Sequence, residues 1–287
     1  MSDTTVGLTV ALIAAGLYAL AVGLQALEAR RAPREHSLRL SLLGFLTRRP
    51  LWLLGAVLGF VGWGAQAVAL SRAPLTLVEP VLAVAPVFLL LMAWITFRER
   101  VQLRDVAGLL AVAGGVAGLG FIAPPRSETH ASGARLAILL TLLAAATAAP
   151  LLQRALSRSR TNLAPIGAGV AYGLVALATK FADDDLHARH FAQAAAWFGA
   201  CAVVALAGVV TEMSALQQRS VTTVAPVVFG LNVLVPVLLA PALAHESWSA
   251  AHAHPRVLFS CLVVVLAGML VVTRSKGVVT LLETSAT

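Results

Sequence analysis

Apolar runs about as long as a bilayer is thick recur from one end of the chain to the other, separated by short polar or basic loops. Nine such spans are read: Thr5 to Leu27, Leu51 to Leu70, Leu75 to Phe97, Asp105 to Ile122, Ala134 to Leu152, Leu163 to Phe181, Ala194 to Leu216, Val221 to Ala244 and Val257 to Thr273. A further apolar piece, Leu40 to Leu46, is too short to span and reads as an interfacial helix inside a basic loop. The first run is full length and precedes that basic loop, with no small-residue cleavage site, so it reads as a span and not as a removable signal.

Composition agrees with the pattern. With 59% hydrophobic residues, 12% charged residues and a mean hydropathy of +0.87, the chain has too little polar surface to cover a soluble globule. The formal charge of +8 follows from topology. Placing the Arg30 to Arg49 loop in the cytoplasm puts most of the 21 Lys and Arg inside. This sets the N-terminus outside and the C-terminus cytoplasmic in a cell inner or plasma membrane. The basic residues are thereby accounted for, and nucleic acid is not an expected partner. The two cysteines, Cys201 and Cys261, fall within spans seven and nine, where a free thiol behaves as a small hydrophobe.

The chain also repeats itself. Residues 69–81 align without a gap with residues 215–227, sharing Ala, Leu, Thr, Val, Pro and Val. The same frame pairs Gly62 with Gly208 and Gln66 with Glu212, and one inserted residue brings Glu99 opposite Glu246. The only two tyrosines, Tyr18 and Tyr172, fall at matching places in spans one and six, and their offset pairs Gln25 with Thr179. An odd span count makes the second unit cross in the opposite sense, and a weak repeat of inverted topology is the sequence mark of a secondary transporter. The expected fold is an all-α integral membrane protein of nine transmembrane helices arranged as two inverted four-helix repeats. Residues 1–123 form the first repeat, 124–160 the linker helix and its loops, and 161–287 the second repeat with a short tail.

Small residues mark expected helix contacts: Gly55, Gly59, Gly62 and Gly64 in span two, Gly114 and Gly118 in span four, and Gly167, Gly169 and Gly173 in span six. Such faces also leave a homodimer open. Pro80 and Pro86 in span three answer Pro226, Pro236 and Pro241 in span eight. Interrupted helices at corresponding places in both halves point to a cavity between them.

Ala73 to Pro80, followed by Phe88, Trp94, Arg98-Glu99-Arg100 and Gly108, resembles the drug/metabolite transporter superfamily, also called EamA-like. The nine-span layout, the Pro74 to Pro80 spacing, Val224-Ala225-Pro226 and His245-Glu246-Ser247-Trp248 are most similar to its NIPA-like branch, associated with magnesium transport. The four-span unit is also similar to the small multidrug resistance transporters. The NIPA-like branch typically has Asn near the position of Met213 and an uncharged residue where this chain has Glu79. The resemblance implies a transporter fold and either a small organic solute or a divalent cation as substrate.

Candidate site residues follow from depth. Tyr18, Tyr172 and Asn232 lie centrally in spans one, six and eight and are expected to line a substrate cavity, with Gln66 at the outer gate. Glu79 and Glu212 are the acids inside apolar segments, candidates for cation binding or for proton coupling. Their alternative role is as interfacial acids paired with Arg72 or Arg219. Of seven histidines only His36 is placed inside; His130, His187, His190, His245, His252 and His254 are placed outside. Asp183, Asp184, Asp185, His187 and His190 are a weak candidate for external cation capture, because carboxylates suit magnesium and imidazoles suit transition metals.

No motif for an enzyme or a cofactor stands out. The expected function is a secondary transporter moving a small organic solute across the lipid bilayer by alternating access. A NIPA-like magnesium transporter, a lipid-linked head-group flippase and a non-transporting membrane protein are the alternatives.

Overall fold

A computed structural model describes residues 3–32, 37–88, 91, 102–157, 163–218, 221–246, 248 and 255–273. Ten helices are assigned over these residues. They are α1 (Asp3–Arg31), α2 (Leu40–Leu46), α3 (Pro50–Leu70), α4 (Leu75–Leu82) and α5 (Leu103–Ile122). After these come α6 (Gly133–Ser157), α7 (Ala164–His187), α8 (Phe191–Gln218), α9 (Val221–Leu243) and α10 (Pro255–Thr273). No strand occurs among the described residues. Backbone groups in hydrocarbon must be satisfied within their own segment, and a helix does that.

Five helices, α1, α3, α6, α7 and α8, are long and apolar enough to cross a membrane. Four shorter apolar stretches accompany them: Leu75–Phe88, Val106–Leu119, Val227–Leu243 and Arg256–Val272. Outward faces are apolar, as with Phe60 on α3, Leu110 on α5, Leu142 on α6 and Val203 on α8, all well exposed. Such surface suits lipid, whereas in water it would drive association.

Prolines start several helices. Pro50 and Pro165 occupy the first turns of α3 and α7, where a missing N–H costs nothing. Proline treats α4 and α9 differently. α4 ends at Leu82, and helix resumes at 85–88 after a turn at Ala83 and Val84, whereas α9 runs unbroken past Pro226, Pro236 and Pro241. Trp94, Glu99, Arg219, Ser247, His36, His252 and His254 lie outside the described residues.

α7 is the central helix, buried along nearly its whole length between α6, α8 and α9. Small residues make this possible. A Cβ on Gly169 would lie 2.7 Å from Leu231 Cβ, and one on Gly173 would lie 2.9 Å from Val235 Cβ, so α9 rides directly on the α7 backbone. α5 and α10 approach as closely, with a Cβ on Gly268 falling 2.6 Å from the Gly108 carbonyl oxygen. In α5 the contact face differs from the expected one. Gly118 meets Cys261 Sγ, but Gly114 faces open space and Gly115 packs on Val265 and Cys261. Gly64 of α3 likewise faces open space.

End contacts fix helix directions. At one end, Arg72 after α3 pairs with Asp3 of α1, Arg126 donates to the Leu70 carbonyl of α3 and pairs with Asp183 of α7, and Glu246 after α9 reaches the start of α4. At the other end, Gln217 and Gln218 of α8 donate to the Ala32 carbonyl and to Ser37 Oγ, just after α1. It follows that α1 and α7, α3 and α8, and α4 and α9 run in opposite directions.

The short helix α2 sits at that second end. Leu42 and Leu46 are fully buried, and the Leu38 N–H donates to Ser214 Oγ at 2.6 Å, which pins the left-handed backbone at Leu38 (φ 55°).

Candidate functional site

The matching tyrosines make matching contacts. Tyr18 on α1 donates its hydroxyl to Gln66 Oε1 on α3 at 2.6 Å, and Tyr172 on α7 donates to Glu212 Oε2 on α8 at 2.6 Å. Each phenol ring lies over a glycine of the helix that receives its bond. A Cβ on Gly62 would come within 3.3 Å of the Tyr18 ring, and one on Gly208 within 3.0 Å of the Tyr172 ring. Gly62 precedes Gln66 by one helical turn and Gly208 precedes Glu212 likewise, so ring and hydroxyl are seated together on one face. α1 also packs against α8 and α3 against α7, so the two helix pairs lie against each other.

Gln66 extends the first set. Its Nε2 donates to Glu79 Oε1 at 2.7 Å, giving a chain of Tyr18, Gln66 and Glu79 across α1, α3 and α4. Glu79 is completely buried (0% exposed), and its second carboxyl oxygen, Oε2, has no hydrogen-bond partner among the described residues. Glu212 is nearly buried, at 6% exposed. Neither acid forms an ion pair among the described residues: Arg72 turns to Asp3 and leaves Glu79 to Gln66. A buried carboxyl without a basic partner is costly in hydrocarbon, and such groups mark sites of function.

Asn232 is partly exposed on α9, on the helix whose neighbouring Leu231 and Val235 pack against Gly169 and Gly173 of α7. No side-chain hydrogen bond joins it to another described residue.

The acidic and histidine-bearing group near the end of α7 is held in a different way. Asp183 pairs with Arg126, and Asp184 pairs with the fully buried Lys180, whose Nζ also donates to the Ser127 carbonyl at 2.6 Å. Asp185 accepts from Trp197 Nε1 at 3.0 Å and has His130 and His190 each 3.4 Å away. His187 Nδ1 lies 2.8 Å from the Asp183 carbonyl oxygen. Among the described residues no group of three or more His, Cys, Asp and Glu is gathered to hold a metal ion. External cation capture at Asp183, Asp184, Asp185, His187 and His190 would first require these ion pairs to open.

The same end carries a link that sequence spacing does not disclose. Glu246 accepts the backbone N–H groups of Leu75 at 2.7 Å and Thr76 at 3.0 Å, capping the start of α4 from beyond the end of α9. Burial pushes the Glu246 carboxyl above the usual carboxylate range, opposed by those two donors and by the nearby Lys180 charge. Trp63 on α3 donates to Thr179 Oγ1 on α7 at 2.9 Å, another cross-link outside the expected set. Of these contacts Lys180 with Asp184 and His187 with Asp183 have a local signature, the four-residue spacing of neighbours on one helix face.

Residues 4–121 match the EamA-like transporter family, which supports the superfamily and a transporter of the drug/metabolite type. The match includes Tyr18, Gln66 and Glu79 and stops before Tyr172, Glu212 and Asn232. No curated protein and no solved structure matches the chain.

Proposed function

We propose that the protein is a secondary transporter that moves a small organic solute by alternating access. It is built as two inverted four-helix units joined by α6, with its N-terminus outside and C-terminus in the cytoplasm. The carrying observation is the duplicated bond, Tyr18 to Gln66 and Tyr172 to Glu212, on helix pairs that run in opposite directions. Duplicated, oppositely directed halves give one central site two equivalent ways of opening, which is the physical basis of alternating access. The family match over residues 4–121 favours the same reading.

The solute sits between the two phenols, with Gln66 and Asn232 as neutral polar anchors and Glu79 and Glu212 as the charge-bearing groups. The site has few polar groups and large aromatic ones, which fits an organic molecule held by a small number of directed contacts. A magnesium site of the NIPA-like kind needs a close oxygen-rich shell, and two acids each spending an oxygen on a neighbour provide little of one.

The test is thermal stabilisation of the purified protein by amino acids, nucleosides, cationic drugs, lipid head groups and divalent cations, followed by uptake of any stabilising solute into proteoliposomes. Saturable stabilisation and uptake of an organic solute support the reading. Stabilisation by magnesium alone, lost in Glu79→Gln, replaces it with cation transport.

A further inference from the structure

The matched residues of the sequence pair α3 with α8 and α1 with α7, so the seam between α3 and α7 answers the seam between α8 and α1. Their chemistry differs. On the α3–α7 seam Trp63 donates its indole N–H to Thr179 Oγ1 at 2.9 Å. The same offsets put Val209 and Gln25 at those places on the α8–α1 seam, and a valine side chain has no N–H to give. Asp183, one turn beyond Thr179, answers to Ala29, which carries no charge.

A second bond crosses the α3–α7 seam by way of the chain between α5 and α6. Residues 123–132 form a strap fastened to the second unit at several points. The Ser127 carbonyl accepts from Lys180 Nζ at 2.6 Å, the Ala131 N–H donates to the Leu243 carbonyl at 2.8 Å, and the His130 ring lies 4.7 Å from that of Phe181. From this strap Arg126 reaches both ways, pairing with Asp183 of α7 and donating from Nε to the Leu70 carbonyl of α3 at 2.8 Å. Leu70 lies about two turns beyond Trp63, so the seam is bolted at two successive levels. The α8–α1 seam is joined by neutral hydrogen bonds, from the Leu38 N–H to Ser214 Oγ at 2.6 Å and from Gln217 Nε2 to the Ala32 carbonyl at 3.3 Å.

We infer that the α3–α7 seam is a latched gate, held shut by Trp63 and Arg126, and that the central site opens less readily toward the Asp183 end than toward the Ser214 end; the inference rests on the transporter reading. Both seams are joined in this structure, so each end opens by breaking its own bonds. At the Asp183 end these are Trp63 to Thr179 and Arg126 to the Leu70 carbonyl, while the strap stays with the second unit. A hydrogen bond from a charged donor is about twice as strong as a neutral one, and Arg126 and Asp183 are largely shielded from water, at 12% and 14% exposed. Asp183 is a positioning residue, since it aims the guanidinium at Leu70. Glu246, which holds the Leu75 and Thr76 N–H groups, is the fixed point about which α3 and α7 part.

The experiment uses full-length protein lacking Cys201 and Cys261 and reads the rate at which a membrane-impermeant maleimide labels Asn232→Cys from each face of sealed vesicles. His187→Cys, on the exposed end of α7, shows which face is the Asp183 end. Slower labelling from the Asp183 end than from the Ser214 end is expected. Trp63→Phe and Asp183→Asn should each raise the rate from the Asp183 end about threefold or more, and together about tenfold or more, with no rise from the Ser214 end. Thr179→Val removes the Trp63 bond from its other side and should give the same shift, so the result does not hang on one variant folding. Ser214→Ala should raise the rate from the Ser214 end alone. Loosened packing would raise both rates, and melting checks the fold of each variant. Unchanged rates in Trp63→Phe, Thr179→Val and Asp183→Asn, or equal rises at both faces, overturn the latch, and labelling from both faces then leaves the transporter reading standing. Labelling from one face only in every variant, or from neither, overturns both.

Discussion

Tyr172 donates a 2.6 Å hydrogen bond to Glu212 across α7 and α8, with its ring seated over Gly208 one turn away. The bond repeats that of Tyr18 to Gln66, except that the acceptor is a carboxyl in one half and an amide in the other. Removing either hydroxyl orphans a buried acceptor at a cost of about 1–3 kcal/mol, and a carboxyl is the harder group to leave bare. Tyr172→Phe should therefore lower the melting temperature more than Tyr18→Phe. A larger loss from Tyr18→Phe would contradict this assignment of the two acceptors.

Asn232 offers an amide with no partner among the described residues, so its removal should spare the fold and harm the site. Asn232→Leu is expected to melt like the parent protein and to lose solute stabilisation and uptake. Full uptake would take Asn232 out of the site.

Glu246 ties α9 to α4. Glu246→Ala leaves two buried N–H groups without an acceptor, and a loss of about 1–3 kcal/mol is expected. The pH dependence has a definite sign. Burial raises the folded-state carboxyl above its unfolded value, so between the two values the folded chain holds a proton that the unfolded chain has released. Stability from this group thus falls as pH rises through that window and is level above it. The melting-temperature advantage of the parent over Glu246→Gln should shrink across the window; an advantage growing with pH would show that the carboxylate is the favoured form.

Gly114 and Gly115 are adjacent on α5 and should respond oppositely to the same change. A Cβ at Gly114 meets nothing within 4 Å, whereas one at Gly115 would lie 2.6 Å from Val265 Cγ2 and 2.9 Å from the Cys261 carbonyl oxygen. Gly114→Leu is expected to be neutral within about 0.5 kcal/mol, and Gly115→Leu to cost about 1–3 kcal/mol or to block folding. Melting in detergent checks both.

The duplicated contacts were legible in the sequence because repetition is a linear signal. Tyr18 with Tyr172, Gly62 with Gly208 and Gln66 with Glu212 are visible as matched positions before any helix is placed. Their bonding across helices was not visible, since a phenol can point to any of several neighbours at the same depth. Glu79 had Arg72 two turns away as a local partner, yet it bonds Gln66 because the chain reverses at Ser71 to Pro74 and lays α4 against α3. Glu246 and Leu75 are joined only through the packing of α9 on α4, which no spacing encodes. The contact glycine of α5 was misplaced by one residue because a 100° step around the helix separates Gly114 from Gly115.

Alternating access is tested most directly at Asn232. In a background lacking Cys201 and Cys261, Asn232→Cys would be exposed to a membrane-impermeant thiol reagent in right-side-out and in inside-out vesicles. Alternating access predicts labelling from both faces. Labelling from one face only, or from neither, would contradict it.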